Sequence, residues 1–246
     1  MRRPVSCWLL ALLACLSVVC PSPVSAAEAP AHDAVTAVPR EEDWWTERQE
    51  LINSRTKEQV DLLFIGDSIT HGWEGDGKDV WAKYFAPRHA MNAGIGGDRT
   101  QHVLWRLQNG NLEGIQPKLA VLMIGTNNSN GEDNTATEIA DGIKAIVTEL
   151  RTKTPETKVL VLAIFPRGDK PNPQRDKISE VNKQVAAWDQ VDGKNVIYFD
   201  FGDKFLAADG SLPADIMPDF LHLSPKGYEI WAEAIEPQLA EIVGPK

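Results

Sequence analysis

Five short apolar runs, each separated from the next by room for a helix, constrain this chain more than any other feature. They are Asp61–Ile65, His89–Ala93, Leu119–Ile124, Lys158–Ile164 and Asn195–Asp200. Around them Asp43–Ile52, Gln101–Leu107, Thr135–Arg151, Pro173–Gln190 and Pro225–Ile242 read as helices. Ser224 caps the last of these, with Pro225 at its first position. Strands that alternate with helices form a parallel sheet covered on both faces. The predicted fold is therefore a three-layer α/β/α sandwich around a five-stranded, flavodoxin-like parallel sheet. Ligands of such sheets bind beyond the carboxyl ends of the strands.

That edge is where the chain concentrates its chemistry. The first run ends in Gly66-Asp67-Ser68-Ile69, which sets Ser68 at the rim. A serine hydroxyl must lose its proton as it attacks, so it needs a base within hydrogen-bond reach and a third group to orient that base. Asp219-Phe220-Leu221-His222 supplies an acid three residues before a histidine. Either piece alone is weak, since Gly-Asp is a common turn and Asp-x-x-His occurs on surfaces. Two further loops between them strengthen the pattern: Asn92-Ala93-Gly94-Ile95-Gly96-Gly97-Asp98 after the second run, and Gly125-Thr126-Asn127-Asn128 after the third. Backbone N–H groups of a glycine-rich loop and an asparagine amide are the donors that an oxyanion requires.

These four segments, in this order, resemble the blocks of the SGNH hydrolases, the GDSL esterase/lipase family. Within that family the chain is most similar to the catalytic subunits of platelet-activating-factor acetylhydrolase. The likeness runs through His102-Val103-Leu104-Trp105-Arg106-Leu107, Pro166-Arg167-Gly168 and Asp219-Phe220-Leu221-His222-Leu223, from about Glu41 to the C-terminus. The resemblance implies Ser68 as nucleophile, His222 as base and Asp219 as its orienting acid. It implies an oxyanion hole of the Ser68 and Gly97 N–H groups with the Asn127 side chain, and a small acyl pocket bounded by Ile69, Thr126 and Leu221. The sequence departs from the family at Ile69, where the family name has leucine, and at Asn128, where many members have aspartate. Neither position carries a catalytic role.

The N-terminus is read separately. Arg2-Arg3, an apolar segment from Cys7 to Cys20 and Pro21-Ser22-Pro23-Val24-Ser25-Ala26 have the layout of a secretory signal over 1–26, cleaved after Ala26. The expected location is secreted or periplasmic. Leu12-Leu13-Ala14-Cys15 is a poorer match to a lipoprotein box that would anchor the protein through Cys15. All three cysteines lie in this segment, so the mature chain would hold no disulfide. Its removal takes away two arginines and no acid, moving the formal charge from −10 to −12. An acidic chain without a basic stripe argues against nucleic acid and anionic membranes as partners. The segment is too short to span a bilayer comfortably. Residues 27–40, rich in alanine and proline, read as a flexible linker, and 41–246 as one hydrolase domain.

Several residues invite a second role. His71 is a rival base, with no orienting acid near it in sequence. Gly94-Ile95-Gly96-Gly97 is an incomplete dinucleotide loop, so no cofactor is expected. Asp76, Asp79 and Asp98 lack metal-ligand spacing and read as solvated turn residues, so no metal is expected. Trp73 and Trp81 are candidates for a cleft wall, at least one of them being core. The sequence thus predicts a secreted serine esterase that removes short acyl groups, above all acetyl, from a glycan or lipid ester through an acyl-enzyme. The other readings are a noncatalytic carbohydrate-binding module on the same fold, and a thioesterase, lysophospholipase or peptidase using the same serine. A homodimer is left open.

Overall fold

The computed structural model describes Met1 and residues 32–246. The expected signal segment, its three cysteines and the first part of the linker lie outside the described residues. Five strands, β1 (Leu62–Gly66), β2 (Ala90–Gly94), β3 (Leu119–Met123), β4 (Lys158–Leu162) and β5 (Val196–Phe199), form one sheet. Their spatial order is β2-β1-β3-β4-β5, and every neighbouring pair is parallel. The predicted runs match these strands to within one or two residues, as expected where apolar content rather than capping marks the ends.

The helices are α1 (Asp43–Arg55), α2 (Ser68–His71), α3 (Lys78–Tyr84), α4 (Thr100–Gln108), α5 (Ala136–Lys153), α6 (Pro173–Ala186) and α7 (Pro225–Ile242). Alternation along β1 shows how the layers are built. Leu63 and Ile65 join the core under α1, α4, α5 and α6, whereas Leu62 and Phe64 face α7 and an aromatic cluster with Trp73, Phe85 and Trp231. Side chains on a strand point alternately to opposite faces, so a strand covered on both sides is apolar throughout. Among the described residues, no helix is long and apolar enough to cross a membrane.

Chain order places the site. From β1 the chain adds β2 on one side and then crosses to add β3 on the other, so the connections leave β1 and β3 in opposite directions. The crevice beyond their carboxyl ends is the topological switch point of this sheet. Gly66-Asp67-Ser68, Gly94-Ile95-Gly96-Gly97 and Gly125-Thr126-Asn127 all emerge there.

The described part of the expected linker is packed. Ala34 is buried, its carbonyl accepts Thr100 Oγ1 at 2.8 Å, and Asp33 Oδ1 accepts Asn134 Nδ2 at 2.6 Å. Residues 32–40 therefore belong to the folded body. Composition misled here because the contacts that hold this segment come from residues some 65 to 100 positions away.

Candidate active site

Ser68 is the first residue of α2, with Asp67 as the N-cap accepting the Ile69 N–H at 3.0 Å. An N–H at the first helical position has no partner within its helix, so the Ser68 amide is free to donate outward. His222 Nε2 stands 2.9 Å from Ser68 Oγ, and His222 Nδ1 stands 2.6 Å from Asp219 Oδ2. Two segments 154 residues apart in the chain meet at these three groups.

The loop that brings the acid is built around its own carboxylate. Asp219 Oδ1 accepts the backbone N–H groups of Leu221 (3.1 Å) and His222 (2.7 Å), leaving Oδ2 for the imidazole. Phe220 between them takes a left-handed φ of 59°. Such a value is costly for a bulky residue and persists only where surrounding bonds enforce it. Here the Phe220 carbonyl accepts Gly168 N–H at 2.8 Å and its N–H donates to Met217. Partial burial acts to raise the Asp219 carboxyl, but the hydrogen bonds from His222 outweigh it and hold it below the usual carboxylate range. An ionised Asp219 accepting from Nδ1–H leaves Nε2 as the base facing Ser68.

The expected oxyanion donors converge on the same edge. Gly97 has φ +76°, and its N–H has no hydrogen-bond partner among the described residues. A side chain there would also lie 2.7 Å from Arg40 Nη1. Neighbouring Gly96 faces the serine, since a Cβ on it would stand 3.9 Å from Ser68 Cβ. Asn127 Nδ2 donates to the Asp98 carbonyl at 2.8 Å, which ties the β3 loop to the glycine loop. An amide nitrogen carries two hydrogens, so one donor remains for a ligand.

Several expectations are corrected. Asp98, read as a solvated turn residue, is fully buried: Oδ2 accepts Arg106 Nε at 2.8 Å and Oδ1 accepts Trp45 Nε1 at 2.7 Å. Arg106 in turn donates to the carbonyls of Ala93 and Gly66, the ends of β2 and β1. This buried pair fixes the strand ends from which the site loops depart. Ile69, expected as a pocket wall, is 1% exposed in the aromatic core, because α2 turns it beneath Ser68. Thr126 is likewise buried, its carbonyl accepting Ser129 Oγ and Arg167 Nη1. Leu221 alone of the three keeps partial exposure. Trp73 is core, and Trp81 is half-buried.

Two contributors escaped sequence reasoning. Arg40 donates to the Gly96 carbonyl at 2.9 Å, bracing the glycine loop from a segment whose composition reads as linker. Arg167 links the β4 loop to the β3 loop through Thr126 and Asn130. Its Pro166-Arg167-Gly168 motif was visible, but its partners lie about 40 residues away. His71 lies across the cleft from Gly96, and among the described residues no carboxylate bonds its ring. Burial, followed by the charge of Arg48, holds its imidazolium form down. Among the described residues no three His, Cys, Asp or Glu side chains cluster as metal ligands.

Asp67 beside the nucleophile has a carboxyl pushed up to about 7, first by burial and then by the nearby charge of Asp98. Its Oδ2 is buried without a partner. A carboxyl that titrates at roughly 3.9 unfolded and higher when folded holds its proton more tightly in the folded state. Its contribution is complete below the unfolded value and lost as pH rises through the folded one. Asp67→Asn abolishes this dependence, so the wild-type advantage in urea midpoint over the variant shrinks between pH 4.5 and 7.5. A constant difference across that range would contradict the assignment.

The GDSL-like Lipase/Acylhydrolase family matches residues 64–230. Platelet-activating factor acetylhydrolase IB subunit alpha2 of Homo sapiens is 42% identical over 185 residues, covering 75% of this chain and 78% of that protein. Among solved structures, a GDSL-like lipase from Bacteroides thetaiotaomicron superposes with a TM-score of 0.64 at 18% identity, covering 78% of this chain and 97% of that one. A carbohydrate acetylesterase from Sinorhizobium meliloti gives 0.58 at 24% identity, covering 75% and 99%. With a serine, a histidine and an aspartate in hydrogen-bonded sequence at the switch point, and with the family match spanning all four site loops, the chain belongs to the GDSL-like lipase/acylhydrolase family and is a serine esterase.

Proposed function

We propose that the protein hydrolyses short-chain acyl esters, acetyl above all, through an acyl-enzyme on Ser68. The reading is carried by the Ser68–His222–Asp219 relay, with 2.9 Å and 2.6 Å between successive partners. Ser68 Oγ attacks the acyl carbon as its proton passes to His222 Nε2. The carbonyl oxygen becomes an oxyanion held by the Ser68 and Gly97 N–H groups and the free Asn127 amide hydrogen. As the tetrahedral intermediate collapses, the ester C–O bond breaks and the alcohol leaves with the proton from His222. Water, deprotonated by the same imidazole, then releases the acid and restores Ser68. Asp219 stays ionised and supports the imidazolium at each stage.

Acetyl preference is supported by the resemblance to the acetylhydrolase subunits and by Leu221, which is partly buried next to His222. Since Ile69 and Thr126 are buried, Leu221 is the position that bounds acyl length. A methylene that collides with a packed wall adds strain instead of affinity. For 4-nitrophenyl esters, kcat/KM falls steeply from acetyl to butyryl and octanoyl, and Leu221→Ala relaxes that fall. A wild type that prefers octanoyl would replace this reading with a lipase-like one. Action outside the cytoplasm is supported by the charge and hydropathy pattern of residues 1–26.

For Asn127→Ala the expected loss is on the order of 10²-fold in kcat with little change in KM, because its amide serves the transition state. Steady-state kinetics with 4-nitrophenyl acetate decide this. A pure KM effect would make Asn127 a binding residue instead.

A further inference from the structure

From Ser68 an open cleft of about 510 Å³ runs over His71, Gly72, Glu74 and Gly75. Glu74 also lines a second depression of about 410 Å³ along the outer edge of β2, whose walls include Arg55, Gln59, Lys78, Trp81 and Asn92. Glu74 is the wall that the two spaces share, so a ligand long enough to cross it would run from the serine past His71 to an indole ring. Nothing in the triad needs this second depression.

The floor of the path is fixed. Glu74 is clamped by Arg48 (2.8 and 2.7 Å) and by Arg55 (2.6 and 3.3 Å), and Arg55 also reaches the Asn92 carbonyl at 3.4 Å. Partial burial opposes ionisation of Glu74, but the two guanidinium groups prevail and hold its carboxyl down to about 2. Trp81 is held edge-on or tilted by Phe64, Phe85 and Trp73, at ring distances of 5.2, 5.3 and 6.1 Å, yet stays half-buried rather than buried. An immobilised indole beside fixed carboxylate, guanidinium and amide groups suits a ligand with apolar C–H faces and a rim of hydroxyls. An acyl or ether chain running this way would instead lie across Arg55, Gln59, Glu74 and Lys78 and leave charges without water. Positive Arg55 and Lys78 are balanced by Glu58 and Glu74 along the same walls, so the path favours neither an anionic nor a cationic polymer.

The triad itself is open. The His222 and Asp219 side chains keep 44% and 56% of their exposure, which leaves space for an ester carried on a bulky chain. We propose that the path from Ser68 to Trp81 is the alcohol-side subsite of this enzyme and binds a neutral oligosaccharide that carries the scissile ester. The proposal rests on the short-acyl esterase reading and names the substrate class within it.

Its test compares 4-nitrophenyl acetate, acetylated xylo-oligosaccharides of two to six residues and an acetylated ether phospholipid on the full-length enzyme. The kcat/KM for the oligosaccharides rises with chain length until the path is filled. Trp81→Ala and Lys78→Ala lower kcat/KM for the longest oligosaccharide by about tenfold more than for 4-nitrophenyl acetate. Lys78 is exposed at the start of α3, so its replacement keeps the test independent of the aromatic packing around Trp81. Length-independent rates, or equal losses on both substrates, would overturn the subsite. Turnover of the phospholipid without turnover of any oligosaccharide would replace the glycan with a lipid. An enzyme inert even toward 4-nitrophenyl acetate would overturn the esterase reading beneath it.

Discussion

Ser68→Ala abolishes ester hydrolysis by about 10⁴- to 10⁶-fold in kcat while leaving the fold intact, because it removes the atom that forms the acyl bond. The side chain makes one described hydrogen bond, to His222 Nε2, so its loss removes little packing. What survives in the variant is the oxyanion hole and binding, which alone give a residual rate above that of water. A fluorophosphonate probe labels the wild type and not the variant. Labelling that persists in Ser68→Ala would place the nucleophile elsewhere, and near-normal turnover would remove the acyl-enzyme altogether.

His222→Ala is expected to cost nearly as much, since the members of a relay act as a unit and their losses do not add. His71→Ala is the informative control, because His71 borders the same cleft and is also an imidazole. Its ring has no described carboxylate partner, whereas His222 has Asp219 at 2.6 Å to hold the tautomer that makes Nε2 a base. The loss at His71 is expected to be smaller than that at His222 by at least ~10²-fold. Initial rates with 4-nitrophenyl acetate, measured above pH 7 for both variants, test the ordering. A reversed order would mean that the relay runs through the wrong histidine.

The strands, their parallel arrangement and the Asp219–His222 contact were legible in the sequence for one physical reason. Each is a local pattern: an apolar run such as Leu62–Ile65 announces a buried strand, and a glycine-rich turn at its end announces the sheet edge. Asp219 and His222, three residues apart, form their contact within one loop, so their spacing already contains their geometry. The family likeness added the expected roles of Gly97 and Asn127 as oxyanion donors, which periodicity alone does not assign.

Other features depended on partners far away in the chain. Asp98 looks like a turn acid until α1 brings Trp45, 53 positions away, against its carboxylate, where Arg106 of the following helix also pairs with it. Arg40 looks like part of a linker until its guanidinium meets the Gly96 carbonyl, 56 residues on. Ile69 follows the serine in sequence, but one helical residue turns the side chain by about 100°, which sends it into the aromatic core. The depression along β2 exists only because β2 is an edge strand, an arrangement chosen when the chain crossed from β2 back over β1 to β3. Sequence by itself determined which segments are strands and which residues are the candidates for acyl transfer. The tertiary structure decided which charges are buried, which neighbours of the serine stay exposed and which depressions lie beside it, because each of these depends on contacts between segments that no local period encodes.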